Sequence, residues 1–329
     1  MRKLLVFIPT YNRHELVLRQ LELLSSQIKN RENVRVVVSD NSDYSNDSIQ
    51  LNDFCNSHKG FNYNRNFGNI GANANFLLGF SQAKQDEVLW ILADDTVVKP
   101  GAIDFILEKL DPEVEFYGFA TANDFELLRL PNQNGGHLDK TIVWEETGIY
   151  KLVSNTSWGG ITCALYDMNY FKDFVISGFE FHNSSFPHLA ILFAAYKMNL
   201  TLRIRLLPLE IIHGENTEAG DYSLSVAGMP QLFSFAPDWE RRKITISWLK
   251  RYSAAFYFSR RTHPEIFEMT RHIVKSYGGV QGFFWLALGK TEYLIRRTKL
   301  GLKVQSLIQG NERLARLFRR TGRTLMLGD

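Results

Sequence analysis

The first hundred residues repeat one pattern three times: a short apolar run of strand formers that stops abruptly in polar residues. Residues 3–9 (KLLVFIP) run into Thr10-Tyr11-Asn12-Arg13, residues 34–38 (VRVVV) into Ser39-Asp40-Asn41-Ser42-Asp43, and residues 87–92 (EVLWIL) into Asp94-Asp95. Helical stretches lie between and after them. The first carries Val17, Leu21, Leu24 and Ile28 at i, i+4, i+7 and i+11, the stripe of a core-facing helix. A second helix is predicted over about 45–57. Pro100 suits the first turn of another, bearing Ile103, Ile106, Leu107 and Leu110. Strands and helices alternating in this order predict parallel strands joined by right-handed crossovers. In such sheets ligands bind outside the carboxyl ends of the strands. All three strand ends here are polar, so the site is predicted there.

Further along, residues 61–75 are rich in Asn and Gly and read as a loop entering a helix near Asn75. Residues 115–165 read as further strands and loops, 186–198 as a helix and 201–213 as a strand. From about 237 the pattern is helical and basic. The opening MRKLLVFIPTYNR is a buried first strand in this reading. Its apolar run is only Leu4 to Ile8, ended by Pro9, which is too short for a signal segment. No run approaches the roughly 20 apolar residues of a spanning helix. Cys55 and Cys163 are the only cysteines, which points to a reducing compartment.

Asp94-Asp95 is the strongest chemical signal. A carboxylate pair at a strand end, before a helix, suits a divalent cation held against a diphosphate. Mg²⁺ and Mn²⁺ prefer oxygen ligands and take one or two carboxylates plus phosphate oxygens. The plain alternative is a solvated Asp-Asp helix cap.

Taken together, Ile8-Pro9-Thr10-Tyr11-Asn12-Arg13, Ser39-Asp40-Asn41-Ser42, the segment from Asn66 to Asn75 (NFGNIGANAN) and Ala93-Asp94-Asp95 resemble the family 2 glycosyltransferases of the GT-A fold. That is an α/β nucleotide-diphosphate-sugar transferase fold with a Rossmann-like, mostly parallel sheet. The match covers roughly the first 110 residues; residues 150–215 resemble the acceptor half more loosely. The subgroup it looks most like is the abequosyltransferases of bacterial O-antigen assembly. The resemblance implies that Pro9, Thr10 and Tyr11 line the base pocket, with Arg13 beside them, and that Asp40 accepts hydrogen bonds from the base. It implies that the segment from Asn66 to Asn75, through Asn66, Gly71 and Asn75, approaches the diphosphate and ribose, its glycines permitting close backbone approach. Asp94 is implied to contact the ribose, and Asp95 to ligate Mn²⁺ or Mg²⁺. The family often has a third aspartate where this chain has Ala93.

An inverting transfer needs a group that deprotonates the acceptor hydroxyl. The family commonly uses an aspartate at a helix start; here that stretch contains Glu180, His182, Pro187 and His188. Pro187 fits the first helical position and puts His188 in the first turn, where the positive helix end favours a neutral imidazole. Glu180 and His182 are the rivals. His213, after the strand at 201–212, is a further candidate metal ligand or an ordinary strand-end histidine. Trp158-Gly159-Gly160 reads either as an acceptor platform or as a turn with a core tryptophan.

Charge is distributed unevenly. The chain's net +3 divides into −11 over residues 1–240 and +14 over residues 241–329. On a helical wheel of 311–327, Leu314, Leu317, Phe318 and Leu325 oppose Arg313, Arg316, Arg319, Arg320 and Arg323, the pattern of an interfacial helix on anionic lipid. A second basic stretch, Arg241 to Arg261, carries Ile244, Trp248, Tyr252 and Phe256 on one stripe. Phe283-Phe284-Trp285 lies between the two. The competing reading packs these stripes on the rest of the protein or on a second copy, making a homo-oligomer through the C-terminal helices. Nucleic acid is not an expected partner, since no recognition fold is visible and the N-terminal part is acidic.

These readings predict a GT-A domain over 1–236, its donor half 1–110 and acceptor half 111–236, and a helical, basic region over 237–329. The expected activity is inverting transfer of a hexose or deoxyhexose from a nucleotide sugar to a lipid-linked glycan. It would take place at the cytoplasmic face of the plasma membrane, in O-antigen or capsule assembly. The alternative is a non-catalytic nucleotide-sugar-binding or scaffold protein.

Overall fold

The computed structural model describes residues 2–29, 31–120, 140–143, 161–184, 186–199, 202–214, 228–236 and 238–296. The chain divides into two compact units. One comprises Met1–His182 with Pro187–Glu218; the other comprises Asn183–Phe186 with Ala219–Asp329.

The first unit is built in chain order from β1 (Lys3–Thr10), α1 (His14–Ile28), β2 (Val34–Asp40), α2 (Asn46–Ser57), β3 (Phe61–Arg65), α3 (Ala72–Gln82), β4 (Glu87–Ile91), β5 (Thr96–Val98), α4 (Ala102–Lys109), β6 (Phe116–Ala120), β7 (Lys140–Val143), β8 (Ala164–Asp167), α5 (Met168–Phe171), α6 (Val175–Glu180), α7 (Pro187–Asn199), β9 (Arg203–Pro208) and β10 (Ile212–Gly214). Eight strands form one sheet in the order β3-β2-β1-β4-β8-β6-β9-β7. The pairs β3-β2, β2-β1, β1-β4 and β6-β9 are parallel; β8 runs antiparallel to both β4 and β6, and β7 to β9. From Leu4 to Thr10 β1 is buried, as a central strand covered on both faces must be.

The predicted stripe of α1 packs on this sheet. Val17, Leu21 and Leu24 are fully buried and join Leu4, Val6, Ile8, Val36 and Val38 in one core. Each such side chain contributes about 1.5–3 kcal/mol relative to exposure. Residues 61–75 differ from the loop expected. Phe61–Arg65 (FNYNR) pairs in parallel with β2 as an edge strand, and α3 begins at Ala72. Only Phe61 of that strand is buried, so its polar composition hid it. The predicted strand 201–213 is broken by a short 3-10 turn, Leu209–Ile211, after which β10 pairs antiparallel with β5 as a separate ribbon.

In the second unit a 3-10 segment, Met229–Phe235, precedes α8 (Asp238–Thr262) and α9 (Pro264–Arg296). Arg241 donates to the carbonyls of Phe233, Ser234 and Ala236 and ties that segment to α8. Gly279 interrupts α9 with φ 56° and ψ −147°, a conformation that glycine alone adopts at little cost. Before this break Phe267 stacks on Phe256 at 4.5 Å. After it the chain turns back along α8, with Gly282 beside Leu249 and Gly289 beside Ser253. Of the stripe Ile244, Trp248, Tyr252 and Phe256, all but the half-buried Tyr252 are therefore buried within this unit, which corrects its reading as a lipid-facing surface. The reversal of α9 supplies the apolar partner that a single helix lacked.

Candidate functional site

Parallel register sets the site. Thr10 lies opposite Asp40 at the carboxyl ends of β1 and β2, and Leu92 N–H donates to Phe7 O, which brings the end of β4 to the same level. The three polar strand ends therefore meet in one place. Between β1 and α1 the backbone passes through Asn12 at φ 55°, a left-handed conformation that asparagine tolerates better than most residues. Asn12 N–H donates to Ser42 Oγ at 2.7 Å, and the turn leads Arg13 toward the carboxylate pair.

Asp94 is buried. Its Oδ2 accepts from Thr10 Oγ1 at 2.8 Å and its Oδ1 from an Arg13 guanidinium nitrogen at 3.1 Å. The same nitrogen lies 3.4 Å from Asp95 Oδ2. Burial raises the Asp94 carboxyl above the ordinary carboxylate range, helped by the charge of Asp95; the Thr10 and Arg13 contacts oppose this without cancelling it. The turn that presents the pair is held from two sides. Gln20 of α1 donates to Thr96 O at 2.6 Å, while Thr162 Oγ1 accepts from Ala93 N–H at 2.9 Å. Gln20 is a buried polar residue on the apolar stripe of α1, and its place there was the one sequence signal of this role.

Asp40 has no exposed surface. Its Oδ1 accepts from Ser42 N–H at 2.8 Å; its Oδ2 accepts from Tyr63 O–H at 2.8 Å and lies 2.9 Å from His14 Nε2. Burial pushes this carboxyl up, but the contacts with Ser42, Tyr63 and His14 outweigh it and hold the group below its ordinary value. Tyr63 is pushed up to about 12 by burial and by its bond to Asp40. The carboxylate that the resemblance assigned to the base is thus already engaged by protein groups behind the cleft wall. An asparagine network completes that wall. Asn66 Nδ2 donates to Asn41 Oδ1 at 2.7 Å, and Asn75 Nδ2 to Ser39 O at 2.9 Å. Gly71, at φ 85°, caps α3.

The resulting cleft, about 570 Å³, is lined by Pro9, Thr10, Tyr11, Asn12, Arg13, Asn41, Asn69, Gly71, Ala72, Asn75, Phe76 and Asp94. This size suits a small-molecule or cofactor pocket. Asp95 stands at its edge through the shared contact with Arg13, whereas Asp40 and Asn66 support it from behind. Asn12 and Asn41 are lining residues to which the resemblance gave no role, while Asn69 belongs to the segment it placed at the diphosphate and ribose.

Among the described residues no group of three or more His, Cys, Asp or Glu is placed to hold a metal ion. Two neighbouring carboxylates still match what Mg²⁺ or Mn²⁺ requires when phosphate supplies further oxygens. The backbone of His213 pairs with Val97, two residues beyond Asp95; its side chain lies outside the described residues, as do Trp158, Gly159 and Gly160. The three candidate bases part company. His188, in the first turn of α7, is 1% exposed, and its carbonyl accepts from Tyr166 O–H. Glu180 and His182 are exposed. Asn73 in the first turn of α3 donates to His182 O at 2.6 Å, so this segment sits against the helix end that lines the cleft.

The chain resembles several known proteins. A family model described as glycosyl transferase family 2 matches residues 5–175. Abequosyltransferase RfbV of Salmonella typhimurium is 24% identical over 220 residues, covering 64% of this chain and 66% of that one. Among solved structures, S. aureus TarS 1–349 in complex with UDP aligns with TM-score 0.57 and 15% identity, over 90% of this chain and 93% of that one. The chain spans 55% of the longer TarS structure. A mannosyltransferase from Pyrobaculum calidifontis, in complex with GDP-Man and Mn²⁺, aligns with TM-score 0.51 and 14% identity, over 96% of this chain and 86% of that one. The fold is that of the GT-A glycosyltransferases, with a helical C-terminal region. Matched by the family model over just more than half of its 329 residues, the chain belongs to glycosyl transferase family 2.

Proposed function

We propose that this protein is an inverting, divalent-cation-dependent glycosyltransferase that moves a hexosyl or deoxyhexosyl group from a nucleotide sugar to a lipid-linked glycan. The observation that carries this reading is the cleft at the ends of β1, β2 and β4, where Asp94 and Asp95 converge with Arg13. Pro9, Thr10 and Tyr11 hold the nucleobase end of the donor, and Gly71 and Asn75 lie along its ribose and diphosphate. Asp94 contacts the ribose; Asp95 would hold a Mn²⁺ or Mg²⁺ ion, with His213 as a candidate further ligand, and the ion would supply positive charge to the departing diphosphate. The solved relative with GDP-Man and Mn²⁺ supports that reading.

A base must touch the acceptor hydroxyl it deprotonates. Glu180 and His182 are exposed beside α3 and fit that requirement better than the buried His188. We therefore assign the base to Glu180 or His182 and give His188 a packing role. Trp158, Gly159 and Gly160 remain the proposed acceptor platform. A surface-polysaccharide role, in O-antigen or capsule, is supported by the abequosyltransferase relative.

We place the protein on the cytoplasmic face of the membrane. No helix among the described residues is long and apolar enough to cross one. The support for peripheral contact is the net +14 of residues 241–329, joined to the outer face of α9, where Val280, Phe283, Phe284 and Leu288 are exposed. A basic surface bearing such a face suits anionic lipid. The basic stretch 311–327 lies outside the described residues. Self-association through the C-terminal helices is the rival use of the same face.

The reading is tested by a thermal-shift and hydrolysis screen of UDP-, GDP-, CDP- and dTDP-sugars, with and without Mn²⁺. One donor should stabilise the protein in a Mn²⁺-dependent way, by about 2.7 kcal/mol at a hundredfold excess over Kd, and should be turned over. Stabilisation without turnover toward water or any glycan acceptor would favour a non-catalytic nucleotide-sugar-binding protein.

A further inference from the structure

The carboxylate pair carries its own counter-ion. One guanidinium nitrogen of Arg13 lies 3.1 Å from Asp94 Oδ1 and 3.4 Å from Asp95 Oδ2. The two carboxylates belong to successive residues, and Asp94, 9% exposed, has little water to balance its charge. A divalent ion held by Asp95 would bring a double positive charge beside that guanidinium. The two would meet at the rim of a partly desolvated cleft, where like charges repel strongly. The guanidinium and the ion are therefore competitors for one place.

We propose that Arg13 is a resident counter-ion that must leave Asp95 before this carboxylate takes a divalent cation, so that the cation enters with the donor's diphosphate rather than ahead of it. This rests on the cation-dependent reading of the site. Without a nucleotide, displacing Arg13 strips it of two carboxylate contacts and brings a doubly charged ion beside it. A diphosphate reverses that balance. It adds negative charge on the cleft side, where Arg13 is a lining residue. Its oxygens also match the planar fork of a guanidinium. Arg13 then exchanges carboxylate partners for phosphate partners, and Asp95 is released to the cation. In this scheme Arg13 is a positioning residue that enforces the order of binding.

The test uses the full chain and Mn²⁺ alone, with unbound Mn²⁺ followed by electron paramagnetic resonance. Wild type is expected to bind Mn²⁺ weakly. Arg13→Gln should bind it about tenfold more tightly or better, the scale on which a neighbouring charge shifts an equilibrium. Arg13→Lys, which keeps the charge, should stay near wild type. Asp95→Asn added to Arg13→Gln should abolish the gain. Addition of UDP, GDP, CDP or dTDP should tighten Mn²⁺ binding by wild type by a larger factor than binding by Arg13→Gln. A purely structural role for Arg13 predicts the opposite sign, since loosening the turn would weaken Mn²⁺ binding. The proposal is overturned if Arg13→Gln, with a melting temperature near wild type, binds Mn²⁺ equally or less well while Asp95→Asn binds it worse. If no variant binds Mn²⁺ even with a nucleoside diphosphate present, the cation-dependent reading fails and takes the proposal with it.

Discussion

Asp40→Ala separates a ligand contact from a structural anchor. The carboxylate has no exposed surface and engages Ser42 N–H, Tyr63 O–H and His14. Hydrogen bonds to a charged group contribute about 1.5–3 kcal/mol each, so three amount to roughly 4.5–9 kcal/mol before opposing terms. Removing the carboxylate also removes the cost of burying it, which is several kcal/mol. It leaves the Tyr63 hydroxyl and the Ser42 amide without their acceptor. The net loss should be about 3 kcal/mol, at the lower edge of what breaking a buried pair costs. That is a large share of the 5–15 kcal/mol by which domains are stable. Urea unfolding followed by circular dichroism measures it. The folded-state pKa of Asp40 lies below its ordinary 3.8. Its contribution is therefore present above about pH 3.8 and is lost as pH falls through the folded value. The gap between wild type and variant should hold at pH 7 and narrow below pH 3.8. A variant within about 1 kcal/mol of wild type at pH 7 that has lost donor binding would refute the anchor role and return Asp40 to the donor.

Asp94→Asn should leave stability at pH 7 unchanged or slightly raised while weakening donor binding. Its raised folded pKa means that the wild-type carboxylate opposes folding once pH rises above about 3.8; a fall in melting temperature would contradict this. Asp95→Ala should keep the fold and lose Mn²⁺-dependent turnover, and activity unaffected by both this change and EDTA would remove the cation from the mechanism. Glu180→Ala or His182→Ala should lower kcat by about 10²–10⁴-fold with little change in donor KM. His188→Ala should instead lower the melting temperature; the reverse pattern would restore His188 as the base. Phe283→Asp with Phe284→Asp should release the protein from anionic vesicles in co-sedimentation at low salt. Unchanged sedimentation of this variant, or wild type that stays in the supernatant, would count against lipid contact through α9.

The local pattern was enough for the donor half. Apolar runs at 3–9, 34–38 and 87–92 announce buried parallel strands because such strands are covered on both faces. The stripe Val17, Leu21, Leu24 and Ile28 announces α1 because its period is that of a helix. Their polar ends placed the cleft, since parallel strands finish on one side of a sheet. What the pattern could not carry was anything set by partners distant in sequence. The strand Phe61–Arg65 has only one buried residue and is a strand because β2 offers it a ladder. Asp40 reads as a pocket residue until Tyr63 and His14 are found on its oxygens. Gln20 reads as a flaw in an apolar stripe until Thr96 O is found at 2.6 Å. Ile244, Trp248 and Phe256 suit lipid or protein equally by their spacing, and the reversal of α9 at Gly279 decides for protein. Periodicity records which face of an element is apolar; only the tertiary structure says what meets that face, because the partner is chosen by contacts between residues far apart in the chain.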